Sequence, residues 1–147
     1  MKKILLLFAL FIMTQNLAFT QVDKGLTTEE EIKEKCQQIV DDFTNDEIIA
    51  AFGKLNEIWV LPADELDYME KQSIEQLNIV EGRFGSSIGN KLAKEELIEE
   101  VLYRLTYVVK FDKHGLRLRF IFYNGTGGKW YLNSFKWDDS LSKLFED

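Results

Sequence analysis

Residues 103 to 123 read Tyr103-RLTYVVKFDKHGLRLRFIF-Tyr123. Tyr103, Leu105, Tyr107, Val109 and Phe111 alternate with Arg104, Thr106, Val108 and Lys110, the period-two pattern of a strand with one buried face. Asp112-Lys113-His114-Gly115 is turn chemistry. Leu116, Leu118, Phe120 and Phe122 then alternate with Arg117, Arg119, Ile121 and Tyr123. Two alternating runs joined by so short a turn make an antiparallel hairpin. Downstream, Asn124 to Gly128 is a second, looser turn, and Trp130 to Trp137 is a further strand rich in aromatics. Upstream, Arg83 to Leu92 reads as an earlier strand weakened by Gly85, Ser86, Ser87 and Gly89. The sum is a four-stranded antiparallel meander.

Before this region the period changes to that of helices. Thr27 and Thr28 each offer a capping box, with Glu30 or Glu31 three residues on. Ile32, Cys36, Ile39, Val40 and Phe43 then form one apolar stripe. Thr44 to Glu47 ends that helix and opens a second, in which Ile48, Phe52, Leu55 and Trp59 recur at spacings of a turn. Pro62 introduces a third helix from about Ala63 to Val80, stopped by Gly82 and Gly85. Asp138 or Asp139 caps a short terminal helix ending at Leu144 and Phe145. Helices first and a meander afterwards predict an α+β fold, three N-terminal helices packed on one face of a four-stranded antiparallel sheet.

Lys2 and Lys3 followed by an unbroken apolar run from Ile4 to Met13 read as the n- and h-regions of an export signal. That run is about half the length that crosses a bilayer. The expected organisation is a signal peptide over residues 1–20, cleaved near Thr20-Gln21, and one domain over 21–147 in the periplasm or outside the cell, with no membrane attachment afterwards.

The formal net charge of -7 argues against general affinity for nucleic acid. Charge is unevenly spread: fifteen acids face four bases between Thr27 and Glu81, and seven bases face three acids between Leu97 and Trp137. Cys36 is alone and reads as a buried helix residue, so no intrachain disulfide is expected. His114, the one histidine, sits in the hairpin turn and reads as solvated. One Cys and one His far apart make no zinc site, and no phosphate loop or nucleophile elbow is present. No cofactor, metal or catalytic residue is expected on these grounds.

With these patterns in place, the chain resembles the nuclear transport factor two superfamily, a cone-shaped α+β fold, and within it small exported bacterial domains without assigned function. The resemblance rests on Phe43-Thr44-Asn45-Asp46, the Phe52 to Trp59 stretch, Leu61 to Leu66, Gly82-Arg83-Phe84-Gly85, Trp130 and Phe135-Lys136-Trp137-Asp138. It implies a pocket between the sheet and the helices, where enzymes of the superfamily place an acid–base Asp or His and a Tyr. Tyr103 and Tyr107 fall on the inward register, but neither clear strand places an Asp, Glu or His there.

Two sets of residues are therefore candidates. Trp59, Tyr103, Tyr107, Phe120 and Trp130, with Phe122 beside them, form the expected aromatic site for a small apolar ligand, set against the plainer reading of a packed core. Arg104, Arg117, Arg119 and Tyr123 fall on the outer sheet face and form the expected interface with a protein partner or a second copy, set against a face laced with cross-strand charges. The function expected is a non-enzymatic binding or interaction domain. The alternative is a small cofactor-independent isomerase or lyase using a pocket tyrosine.

Overall fold

The computed structural model describes residues 22–146; the export signal read at 1–20 lies outside them. Three helices come first, α1 (Glu29–Thr44), α2 (Ile48–Ile58) and α3 (Ala63–Phe84). Four strands follow, β1 (Ser87–Ile98), β2 (Leu102–Phe111), β3 (Gly115–Asn124) and β4 (Trp130–Asp138), and a 3-10 turn at Leu141–Leu144 completes the order. The strands form one open antiparallel sheet in the order β1-β2-β3-β4. The α+β architecture expected from the hydrophobic periods is the one observed.

At the start of α1 both threonines are used. Thr28 is the N-cap, its side chain accepting from the Glu31 N–H at 3.1 Å, while the Glu31 carboxylate accepts from the Thr27 N–H at 2.8 Å. The apolar stripe of α1 buries Ile32, Cys36, Ile39, Val40 and Phe43 against the sheet, and α2 adds Ala51, Phe52 and Leu55. From the sheet, the inward residues of β2 and β3 complete the core, with Leu105, Leu118, Phe120 and Phe122 wholly out of solvent.

Three boundaries differ from the sequence reading. Helix α3 passes through Gly82 and ends at Phe84, whose ring centroid lies 4.5 Å from that of His114 in a tilted contact. That contact and the bonds from the Asp112 and Lys113 N–H groups to the Ser86 and Phe84 carbonyls tie the helix end to the β2–β3 turn. They outweigh a glycine penalty of about 1 kcal/mol in the helix. The stop is Gly85, at φ 85°, where a Cβ would collide with the Asp112 carboxylate. His114 is consequently half-buried and bonded through Nε2 to the Asp139 carbonyl at 3.1 Å, not a solvated turn residue.

The second difference is β1, which begins after the expected Arg83 and continues past Leu92 to Ile98. Its turn into β2 places Glu99 and Glu100 at φ 49° and 54°, closed by Val101 N–H to the Ile98 carbonyl at 2.8 Å. Two successive left-handed residues match the twist of a hairpin, but Asn and Gly normally mark such a turn. The third is the C-terminal segment, a single 3-10 turn in place of the expected helix.

The two sheet edges are unequal. Leu26 exchanges both backbone hydrogen bonds with Trp130, and Trp59 bridges Leu132, so β4 is partly covered. β1 is the open edge, broken by irregularities between Ser87 and Gly89 and between Leu92 and Lys94.

Candidate functional site

The aromatic residues expected to line a pocket are brought together, but as packing. Tyr103 is 1% exposed and Phe120 0%. Tyr103 lies 6.0 Å from Trp130, Tyr107 meets Phe120 edge-on at 6.1 Å, and Trp59 and Phe120 both contact Phe135. Offset and edge-to-face rings at these separations are a filled aromatic core. None of the five lines a cavity opening to the surface in the regions around α3 or the outer sheet face.

Tyr103 does meet a carboxylate, which reading β2 and β3 alone missed. Its hydroxyl donates to Glu95 Oε1 at 2.7 Å, and Glu95 also pairs with Lys33 of α1 at 2.6 Å. Glu95 comes from the part of β1 beyond Leu92, in register with Leu105 and so on the inward side. Lys33 first, then Tyr103, hold the Glu95 carboxyl below its ordinary range, while burial and then Glu95 push the Tyr103 hydroxyl well up. Burial also raises Tyr107. These shifts keep the proton on the Tyr103 hydroxyl and the charge on Glu95, which fixes the hydrogen bond between them.

The opposite face of the sheet is built differently. Register places Lys94, Thr106, Arg119 and Lys136 in one row across all four strands. The neighbouring row carries Glu96, Arg104, Ile121 and Ser134, and on the other side Arg117 lies between Val108 and Asp138. Arg104 is held by Glu96 through both Nε and Nη2. Arg117 is only 4% exposed; its Nη2 donates to Asp138 Oδ2 at 2.7 Å, and its buried Nε has no partner among the described residues. Arg119 stands directly opposite Lys136, a like-charge pair that a sheet ordinarily avoids.

The chain crosses this face again after β4. Asp138 Oδ1 accepts the Ser140 N–H at 2.9 Å, and Leu141 packs over Gly115, where a Cβ would stand 3.4 Å from it. The 3-10 turn thereby carries Lys143, Leu144 and Glu146 over the strands. A cavity of about 160 Å³ results, walled by Lys94, Glu96, Arg104, Thr106, Arg117, Arg119, Lys143, Leu144 and Glu146. Lys94 Nζ reaches the Glu146 backbone carbonyl at 3.3 Å. Three of the four expected interface residues thus converge; Tyr123 lies apart, half exposed, in register with Leu102 and Tyr131.

Sequence reasoning found the arginines because they alternate outward along β2 and β3. It missed Lys94, Lys143 and Glu146. Lys94 is placed by the β1 irregularity, and the other two by a fold-back that no local pattern encodes.

A second concavity runs between α3 and β4. Tyr68, Met69, Ser73, Phe135 and Trp137 border a space of about 290 Å³, which adjoins one of about 300 Å³ bordered by Ile79, Val80, Leu116 and Trp137. Trp137 Nε1 donates to Ser73 Oγ at 3.0 Å between them. α3 stands off the sheet here: among its residues only Leu66, Ser73 and Leu77 are buried.

Among the described residues no group of three or more His, Cys, Asp or Glu is arranged to hold a metal ion, and no helix is long and apolar enough to cross a membrane. In comparisons with known proteins, no family model, no curated protein and no solved structure matches the chain.

Proposed function

We propose that the chain is an exported, non-enzymatic binding or interaction domain that recognises its partner through the outer face of the sheet. The observation that carries this reading is the convergence of Arg104, Arg117, Arg119, Lys94 and Lys143 on one cavity, in a chain whose formal net charge is -7. Cations gathered in a concavity of an acidic protein focus attraction there. Export rests on the Lys2-Lys3 n-region and the apolar run after it. Kinship to the nuclear transport factor two superfamily belongs to the same proposal and rests on the residue patterns quoted above. The burial of Tyr103 and Tyr107 in the packed core favours binding over the isomerase or lyase alternative.

The test is native mass spectrometry of the mature chain from a periplasmic preparation, beside the variant Lys94→Ala with Arg119→Ala. A retained mass or a dimer that vanishes in the variant is the expected result. Identical species in both proteins, loaded or bare, refute the outer-face reading.

A second reading is favoured by the α3–β4 cleft, whose apolar walls suit a small hydrophobic ligand better than the filled aromatic core does. Trp137 reports on it: a hydrophobic probe such as 1-anilinonaphthalene-8-sulfonate would accept energy from Trp137, and Met69→Trp would displace the probe. Unchanged probe binding in that variant would remove this reading.

A further inference from the structure

We propose that the cavity on the outer sheet face is a receptor for a phosphate monoester dianion, an assignment that rests on the outer-face reading and names what it recognises. Its size is the first argument. At about 160 Å³ it is below the roughly 300–1,000 Å³ of pockets that enclose whole small molecules, and it suits one charged group with the rest of the ligand outside.

Charge is the second. Glu96 neutralises Arg104 and Asp138 neutralises Arg117, so neither arginine supplies the surplus. Lys94, Arg119 and Lys143 have no ion-pair partner among the described residues, and the single remaining carboxylate of the wall is Glu146. Among the described residues, five cations against Glu96, Asp138 and Glu146 leave two positive charges uncompensated, the complement of a dianion.

The third argument is unspent donor capacity. Arg117 makes one hydrogen bond, to Asp138, and its buried Nε is unpartnered, a situation that native proteins resolve with a bound water or ion. Thr106 adds a hydroxyl between Lys94 and Arg119 in the same cross-strand row. Arg119, which stands opposite Lys136 in the sheet, gains from an anion placed in the cavity it lines. A tetrahedral group with three acceptor oxygens uses such a ring of donors more fully than a planar carboxylate does.

The dianion can come from free phosphate or from an esterified phosphate on a larger molecule, and the test separates the two. Amide ¹H–¹⁵N spectra of the mature protein are recorded during titration with inorganic phosphate, glycerol 1-phosphate, succinate and chloride at matched ionic strength. The expected result is saturable shifts at Thr106, Arg119 and Lys143, at least tenfold tighter for phosphate species than for succinate. Lys94→Ala with Arg119→Ala weakens that binding tenfold or more while the melting temperature holds. Tighter binding of glycerol 1-phosphate identifies an ester as the source; tighter inorganic phosphate identifies the free ion. Non-saturating shifts equal to those of chloride, or affinity for succinate equal to that for phosphate, overturn the assignment. If phosphate fails while the same variant still abolishes the retained species in native mass spectrometry, the phosphate assignment falls and the outer-face reading stands. If the variant alters neither, both fall.

Discussion

Arg119 and Phe120 are consecutive in β3, and their side chains leave the strand on opposite faces. Replacing each with alanine separates packing from recognition. Phe120 is 0% exposed and its ring centroid lies 4.9 Å from that of Phe135 and 6.1 Å from that of Tyr107. Truncating a phenylalanine so enclosed costs about 3–5 kcal/mol, the transfer energy of the ring plus the cavity it leaves. With about 2.1 cal/mol/K of unfolding entropy per residue, the domain has about 0.26 kcal/mol/K. A loss of about 4 kcal/mol therefore lowers the melting temperature by about 15 °C. Arg119→Ala removes a half-buried cation facing Lys136 and is expected to stay within about 0.5 kcal/mol, neutral or slightly stabilising. Urea unfolding followed by tryptophan fluorescence, with thermal melts by circular dichroism, reads both. A cost below about 1.5 kcal/mol for Phe120→Ala would mean that its ring borders open space and that the aromatic cluster is a pocket after all. A cost above about 1.5 kcal/mol for Arg119→Ala would make Arg119 a structural residue and remove it from recognition.

Other predictions concern single contacts. Burial alone would raise the Asp138 carboxyl, but the Arg117 guanidinium and the Ser140 N–H hold it below 3.8. Its contribution is therefore complete above the unfolded value and lost as pH falls through the lower folded one, so stability declines below about pH 4; Asp138→Asn costs about 2 kcal/mol at pH 7 and flattens that acid limb in pH-dependent urea melts. Tyr103→Phe removes the bond to Glu95, which keeps Lys33, and costs about 1 kcal/mol by the same melts; no loss would show the hydroxyl to be solvated equally well without Glu95. Cys36 is fully buried and burial drives its thiol well up, so it reacts with a disulfide reagent only at the rate of unfolding; rapid labelling of the native protein would contradict its place in the core. Thr28→Ala removes the N-cap of α1 and costs about 1 kcal/mol in chemical denaturation, whereas Thr28→Ser leaves stability nearly unchanged.

The hairpin of β2 and β3 was legible because each strand has one dry and one wet face and the turn between them carries Gly115. The length of β1 was not. Its solvent-rich edge position blurs the alternation, and Glu99-Glu100 make a left-handed turn without the residues that usually signal one. Gly82 misled for a related reason: a glycine inside a helix is tolerated when a residue beyond it, here Phe84, gains a tertiary contact. On the outer face, alternation identified Arg104, Arg117 and Arg119 as neighbours. It could not reveal that Arg117 is buried beneath the returning chain, because that cover is contributed by residues more than twenty positions away. Burial of the aromatic set followed from its inward register; whether it enclosed space or filled it depended on how closely α1 and α2 approach the sheet.

The succession β1-β2-β3-β4, each strand beside its neighbours in sequence, bears on how the chain reaches this state. Every pairing among these four strands closes across a short turn, so loop-closure entropy is small at each step and the meander zips hairpin by hairpin. A costlier closure brings α1 onto β2, more than fifty residues downstream, where Cys36, Ile39 and Val40 meet the inward side chains of the central hairpin. The rate-limiting nucleus is thus expected to combine α1 with β2 and β3. Core truncations in those elements would slow folding, whereas changes in α3 or at the β1 edge would mainly hasten unfolding.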